Sequence, residues 1–93
     1  MDDAELKRNA LLIYDAIFHE KDSVEIDGTV YPIRFTSRAD LRKVTIGDYL
    51  FIEQNPEKSS QWAQKAREGH EIMWVMKGRK YLARVMDGKY LKL

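Results

Sequence analysis

The sequence predicts a small α+β domain in which two helices accompany a bent, barrel-like antiparallel sheet of five or six strands, in the order α-β-β-β-α-β-β-β. Three observations lead to this prediction. Apolar residues recur at helical spacing near the N-terminus, short extended segments are separated by glycine-containing turns, and a helix-ending glycine precedes three more such segments. Short antiparallel strands with two amphipathic helices are typical of a small curved sheet.

Composition favours one folded domain spanning residues 1–93. The chain is 44% hydrophobic and 33% charged, as in ordinary globular proteins. It has no Cys, which excludes disulfides and thiolate zinc sites. Its apolar runs are far shorter than the roughly 20 residues of a membrane-spanning helix, and its acidic start is unlike an export signal. We therefore expect a cytoplasmic protein that has no membrane partner.

The first element is predicted to be a helix from about Asp3 to Glu20. Asp2 is placed to cap it, and acidic side chains in the first turn favour the positive end of the helix dipole. One face is apolar and must pack on the rest of the fold. That face consists of Leu6, Ala10, Ile13 and Ile17.

Residues 24–35 are predicted to form a hairpin, because Asp27-Gly28 suits a two-residue type I′ turn. Such a turn pairs Ile26 with Thr29 and gathers the apolar side chains on one face. Pro32 lacks a backbone donor, so its strand is expected to be an edge or to be bulged there. The apolar face consists of Val24, Ile26, Tyr31, Ile33 and Phe35.

The middle of the chain has weaker signals. Ser37 is placed to cap a single helical turn through Arg42, after which residues 44–46 begin an extended segment. We interpret Gly47-Asp48 as a bulge or sharp bend that leads into a strand from Tyr49 to Gln54.

A second helix is expected to begin near Ser59 or Ser60 and to end at Gly69. Asn55-Pro56 ends the preceding strand, because proline cannot continue the hydrogen-bond ladder. Gly69 suits the left-handed position that follows a helix. Trp62 is the one bulky apolar side chain of this short helix.

The C-terminal segment is predicted to be a three-stranded antiparallel meander. Its parts are a strand from Glu71 to Met76, a turn at Lys77-Gly78, a strand from Lys80 to Met86, a turn at Asp87-Gly88 and a strand from Lys89 to Leu93.

Two-residue turns in this meander would place Trp74 opposite Tyr81 and Val85 opposite Tyr90. A first turn that spans Lys77 to Arg79 would shift the register, so the core-facing side of the meander stays open. The face implied by the two-residue turns consists of Ile72, Trp74, Tyr81, Ala83, Val85 and Tyr90.

Charge is unevenly distributed along the chain. Residues 1–69 carry ten Lys and Arg against thirteen Asp and Glu, a net charge of −3, whereas residues 70–93 carry six against two, a net charge of +4. A basic sheet with interleaved aromatic residues is one way to bind nucleic acid, because cations neutralise phosphates and exposed rings stack on bases.

The candidate nucleic-acid-binding residues come from this basic meander. Trp74 and Tyr81 are expected to stack on bases if they are exposed, but the predicted pattern also places them in the core, so the two roles compete. The candidates are Lys77, Arg79, Lys80, Arg84, Lys89, Trp74 and Tyr81.

No catalytic, metal-binding or cofactor-binding motif is found. His19 and His70 are the only histidines, which is too few for a ligand set without several scattered carboxylates. Asp48 and Glu53 are the one pair of acids to consider for acid–base chemistry, and their spacing places them on opposite faces of a regular strand. We therefore predict a protein that is not an enzyme and has no cofactor.

A second class of function stays open beside nucleic-acid binding. The amphipathic first helix and any unpaired sheet edge are suited to binding another protein or a second copy of the chain. The sequence therefore predicts a non-catalytic binding module with either nucleic acid or protein, including a homodimer, as its partner.

Overall fold

The computed structural model describes residues 1–93, which form two helices and eight strands. The elements are α1 (Asp3–Phe18), β1 (Ser23–Ile26), β2 (Thr29–Pro32), β3 (Arg34–Phe35), β4 (Arg42–Ile46), β5 (Tyr49–Glu53), α2 (Gln61–Arg67), β6 (Ile72–Lys77), β7 (Lys80–Met86) and β8 (Lys89–Lys92). Neither helix is both long and apolar enough to cross a bilayer.

The strands form two antiparallel sheets, so the predicted α+β class is confirmed. β1 and β2 make a two-stranded sheet, and β3 to β8 make a six-stranded sheet in sequence order. The large sheet is not closed into a barrel, because β3 and β8 are its edges. The chain has two more strands between the helices than predicted.

The first extra strand arises where the predicted hairpin ends early. Its register is as predicted, with Val24 opposite Tyr31 and Ile26 opposite Thr29. However, β2 ends at Pro32, which has no amide to donate, and the chain then passes into the six-stranded sheet. Phe35 is consequently in β3 and is 62% exposed, so its predicted place on the apolar face of the hairpin is wrong.

The second extra strand arises at Gly47-Asp48, which is a two-residue hairpin turn and not a bulge. Ile46 pairs with Tyr49 across it. Gly47 has a φ of 57°, whereas Asp48 is not in the left-handed region, as in a type II′ turn. This turn joins β4 to β5 directly.

Residues 37–39, before β4, form a turn but no helix. Asp40 has a φ of 51°, a left-handed conformation that a right-handed helix cannot include. Instead, the amide of Thr36 donates to the carbonyl of Leu41 (2.8 Å), and the Thr36 hydroxyl accepts from the Leu41 amide (3.0 Å). The prediction of a helical turn capped by Ser37 is therefore wrong.

The C-terminal meander forms, but the register of β6 against β7 differs from the one that a turn at Lys77-Gly78 implied. Its first turn is Gly78-Arg79, with Lys77 opposite Lys80. A register shift after Val75 leaves Leu82 as an extra residue in β7. Trp74 therefore lies opposite Arg84, and the predicted pairing of Trp74 with Tyr81 is wrong.

The core lies between α1 and one side of the six-stranded sheet, here called the inner face. The sheet residues of the core are Val44, Phe51, Met73, Val75, Ala83 and Val85. The residues that α1 contributes are Leu6, Ala10, Ile13, Tyr14, Ala16 and Ile17. Ile72 and Trp74 therefore point away from α1, which decides the core-facing side of the meander that the sequence left open.

Helix α2 lies on the opposite side of the sheet. The Ser60 hydroxyl accepts a hydrogen bond from the amide of Ala63 (3.1 Å), as expected of an N-cap. Gly69 follows the helix with a φ of 102°. Trp62 of α2 contacts Trp74 of β6, so the helix leans on the outward side of the meander.

Candidate functional site

The side of the six-stranded sheet that faces away from α1 is here called the outer face. The strand register assigns to it Arg34, Lys43, Thr45, Leu50, Ile52, Ile72, Trp74, Met76, Tyr81, Arg84, Met86, Lys89 and Leu91. Four of these residues are Lys or Arg, and none is Asp or Glu. The sheet residues of the outer face therefore carry a net charge of +4.

Three aromatic rings follow one another across the outer face. The ring centres of Trp62 and Trp74 are 5.6 Å apart, and those of Trp74 and Tyr81 are 5.3 Å apart, both in edge-to-face geometry. Gln54 orients the middle ring, because its side-chain oxygen accepts a hydrogen bond from the Trp74 indole nitrogen at 2.6 Å. The two indoles are half-buried, and Tyr81 is 54% exposed.

Arg84 lies against these rings and has no polar partner in the protein. Its guanidinium carbon is 4.0 Å from the centre of the Trp62 ring and 5.8 Å from that of Trp74. Its Nε atom is buried and makes no hydrogen bond. None of the five ion pairs in the structure includes Arg84. A half-buried guanidinium left in this state costs the fold about 1–3 kcal/mol per unsatisfied group.

Together these side chains line an open depression of about 760 Å³, here called the aromatic depression. Its remaining lining residues are Gln54, Lys58, Ser59, Ser60 and Leu93. Arg67 positions the loop that carries Lys58, because it donates to the carbonyls of Pro56 (2.5 Å) and Lys58 (3.0 Å). The depression therefore presents aromatic surfaces for stacking and cations for anionic groups.

The predicted binding residues do not all share this surface. Trp74, Tyr81, Arg84 and Lys89 lie on the outer face. By contrast, Lys77 and Lys80 face each other on the inner-face register, and Lys77 lies 5.3 Å from the centre of the Tyr49 ring. Arg79 is in the hairpin turn between them.

The basic residues of the meander are therefore divided between two surfaces. Lys80 precedes Arg84 by four residues on β7, which corresponds to about 13 Å along a strand. The predicted cations of the basic meander therefore form two groups, one on the outer face and one at the tip of the β6–β7 hairpin.

Several contributors to the site were missed in the sequence. Trp62 and Lys58 belong to α2 and the loop before it, and Gln54 follows β5. The one available signal was that the chain has two tryptophans, Trp62 and Trp74, whose large rings could have been expected to meet. No local pattern connects Trp62 with Arg84, because their contact depends on where α2 packs.

Each of the two histidines lies within ion-pair distance of an aspartate. His19 is the C-cap residue of α1, with its Nδ1 3.2 Å from the Asp15 carboxylate. His70 Nδ1 lies 2.6 Å from the Asp87 carboxylate. No group of three or more His, Asp and Glu side chains is arranged to hold a metal ion.

The pair of acids considered for acid–base chemistry is separated. Asp48 is in the turn before β5, whereas Glu53 ends that strand on the inner face. Glu53 forms an ion pair with Arg42, with its carboxylate oxygen 2.8 Å from the guanidinium nitrogen. The two carboxylates therefore do not face a common cleft.

No protein-family model, curated protein or solved structure matches this chain.

Proposed function

We propose that this domain is a non-catalytic module that binds single-stranded nucleic acid on the outer face of its six-stranded sheet. The observation that carries the proposal is Arg84, whose guanidinium lies 4.0 Å above Trp62 without an anionic partner and with a buried, unbonded Nε. A phosphate would supply an anionic partner to the terminal N–H groups of this guanidinium, because arginine binds phosphate oxygens through its forked N–H groups.

The charge of the outer face supports the same ligand. Its four cations are Arg34, Lys43, Arg84 and Lys89, and its sheet residues include no carboxylate that would repel a phosphate. None of these cations forms an ion pair within the protein. They are free to displace the counterions of a polyanion, which is the main source of affinity in such complexes.

The aromatic rings favour a single strand over a duplex. Unpaired bases can stack on exposed rings, whereas the bases of a duplex are already stacked on one another. Tyr81 is 54% exposed, and Trp62 and Trp74 line an open depression. The site can therefore accept a base face without a large rearrangement of the sheet.

The test is the binding of fluorescently labelled oligothymidylate, oligouridylate and a duplex, measured by anisotropy over a salt series. A site with four phosphate contacts predicts a slope of about −3 for log affinity against log salt with single strands. We expect both single strands to bind more tightly than the duplex, and the difference between them to show whether the 2′-hydroxyl is recognised. Affinity that does not depend on salt, or a preference for the duplex, contradicts the proposal.

A pair of matched variants locates the interface. Arg84→Gln removes a cation from the aromatic depression and should lower single-strand affinity at least about tenfold. Lys7→Gln removes the same charge from the exposed side of α1 and should change the affinity by less than about twofold. Equal losses in the two variants would place the binding elsewhere.

A second candidate function is self-association through β8. This strand is an open edge of the large sheet, and Leu91 and Leu93 beside it are 49% and 55% exposed. An open edge can pair with an edge strand of another chain. Sedimentation velocity over a concentration series tests this alternative, since a mass that does not change with concentration rules it out.

A further inference from the structure

A second cavity adjoins the aromatic depression at the tip of the β6–β7 hairpin. Its volume is about 380 Å³, and it lies on the inner-face side of the sheet, beyond the start of α1. It is here called the lysine pocket. Its lining includes Tyr49, Lys77, Lys80, Tyr81, Tyr90 and Lys92.

The lysine pocket carries an excess of positive charge. Three lysine side chains line it against one acidic side chain, that of Asp3, which is paired with Lys92 at 2.6 Å. Lys77 and Lys80 belong to no ion pair, and their side chains are exposed. Two lysines opposite each other across an antiparallel pair repel one another, so a bound anion would relieve this repulsion.

The two cavities share part of their walls. Tyr81 and Leu93 line both the lysine pocket and the aromatic depression. Tyr81 is thus positioned at the boundary between them, with 54% of its surface exposed. A chain molecule that leaves the depression over Tyr81 would enter the lysine pocket without crossing a carboxylate-rich surface.

We propose that a bound single strand continues from the aromatic depression over Tyr81 into the lysine pocket, where Lys77 and Lys80 hold its next phosphates. This inference rests on the proposed function and specifies the length of the ligand. The strand would pass from the outer face to the inner-face side around the tip of the β6–β7 hairpin, and this path would connect the two groups of cations in the meander. Both groups contact the same polyanion.

Oligonucleotide length tests this path. Small β-domains bind about 4–16 nucleotides, so a probe of about four nucleotides can fill the depression alone and one of about twelve can reach the lysine pocket. The probes are oligothymidylates with a terminal fluorophore, and each is titrated with the full chain. The measured quantity is the ratio of the long-probe affinity to the short-probe affinity. A longer probe can bind at more positions along its length, but this statistical factor is the same for every variant and cancels when variants are compared.

Two double variants are compared with the unmodified protein. Lys77→Gln with Lys80→Gln should lower the ratio of long-probe to short-probe affinity about tenfold, from the loss of two phosphate contacts. Lys7→Gln with Lys21→Gln changes the net charge equally at two exposed residues that line neither cavity and should leave the ratio unchanged. Thermal unfolding of each variant confirms that the fold is retained.

The outcomes separate the two proposals. Binding of both probes with no loss of the ratio in the Lys77 and Lys80 variant overturns the path and leaves the proposed function standing. An equal loss in the control variant also overturns the path, since it would reflect the general electrostatic field. If neither the short nor the long probe binds the unmodified protein, the proposed function itself is overturned.

Discussion

The guanidinium of Arg84 lies 4.0 Å from the centre of the Trp62 ring, which joins β7 to α2 through one cation–π contact. Such a contact contributes roughly 0.5–2 kcal/mol, depending on how far it is removed from water. The buried Nε of the same side chain, without a hydrogen bond, costs about as much. Arg84 therefore adds little to the stability of the fold, which is the expected signature of a residue kept for binding.

Replacing Arg84 with methionine should separate stability from binding. Arg84→Met retains a flexible apolar side chain beside Trp62 and removes both the cation–π contact and the unsatisfied donor, so the free energy of unfolding should change by less than about 1 kcal/mol. The affinity for single-stranded oligonucleotides should fall at least about tenfold in the same protein. Urea denaturation and anisotropy measure the two quantities. A loss of stability of more than about 1 kcal/mol would show that Arg84 is structural.

Intrinsic fluorescence should report ligand binding directly. The only two tryptophans of the chain, Trp62 and Trp74, both line the aromatic depression. Stacking of bases on indole rings should quench their emission as an oligonucleotide is added. Trp62→Phe should keep binding, because phenylalanine also stacks, while it reduces the quenched signal. Binding detected by anisotropy with unchanged tryptophan emission would exclude the depression as the site.

The turns of the fold were predictable because their chemistry is local. Asp27 and Gly28 have φ values of 51° and 82°, and Asp87 and Gly88 have 50° and 82°, as a type I′ turn requires. Few residue pairs adopt such angles at low cost, so the sequence alone indicates them. The registers set by these two turns, including Val85 opposite Tyr90, are the predicted ones.

The register of β6 against β7 was not predictable in the same way. Gly78 can occupy more than one position in a tight turn between β6 and β7. The position of the bulge at Leu82 depends on how β7 packs on α1 and β6. A one-residue change of register moves each side chain to the other face of its strand. The sequence therefore left open whether Trp74 and Tyr81 are in the core, and the extra residue Leu82 places both on the outer face while Ala83 and Val85 face α1.

The candidate site was less predictable than the fold. Its central contact joins Arg84 to Trp62, and no spacing along the chain indicates that contact. The basic character of the meander was visible in the sequence, but its division between two surfaces follows from the bulge at Leu82 and the turn at Gly78-Arg79. Tertiary packing determines both features.

The ion pair between Arg42 and Glu53 should contribute strongly to stability. The two side chains are only 22% and 16% exposed, and their closest nitrogen and oxygen atoms are 2.8 Å apart. Arg42 also donates to the carbonyl of Ile17 (2.5 Å) in the last turn of α1, which accepts a second hydrogen bond from the Glu20 amide (3.2 Å). The pair therefore connects the C-terminal end of α1 to β4 and β5.

Removing the charge of Glu53 should leave Arg42 poorly solvated and unpaired. Glu53→Gln is expected to lower the free energy of unfolding by about 3 kcal/mol, measured by urea denaturation. Arg8→Gln breaks the exposed pair of Arg8 with Asp27, and its effect should be below about 1 kcal/mol. Similar losses in the two variants would mean that water screens the Arg42 pair as well.

The carboxyl group of Asp87 should contribute to stability in a way that depends on pH. A hydrogen bond from His70 (2.6 Å) and one from the Glu71 amide (3.0 Å) hold the pKa of Asp87 below its usual value. A depressed pKa in the folded state means that the contribution is present above the unfolded pKa of about 3.9. It is then lost as the pH falls through the lower, folded value.

Replacing Asp87 with asparagine tests this linkage without breaking the turn. Asparagine tolerates the φ of 50° at this position, and its side-chain oxygen can still accept a hydrogen bond. Asp87→Asn should therefore reduce the free energy of unfolding at about pH 7, and the difference from the unmodified protein should shrink below about pH 4. Urea denaturation across this range measures the difference. If the two stability curves stay parallel down to about pH 2, the ionised carboxylate of Asp87 does not stabilise the fold, and the two hydrogen bonds contribute equally in its neutral form.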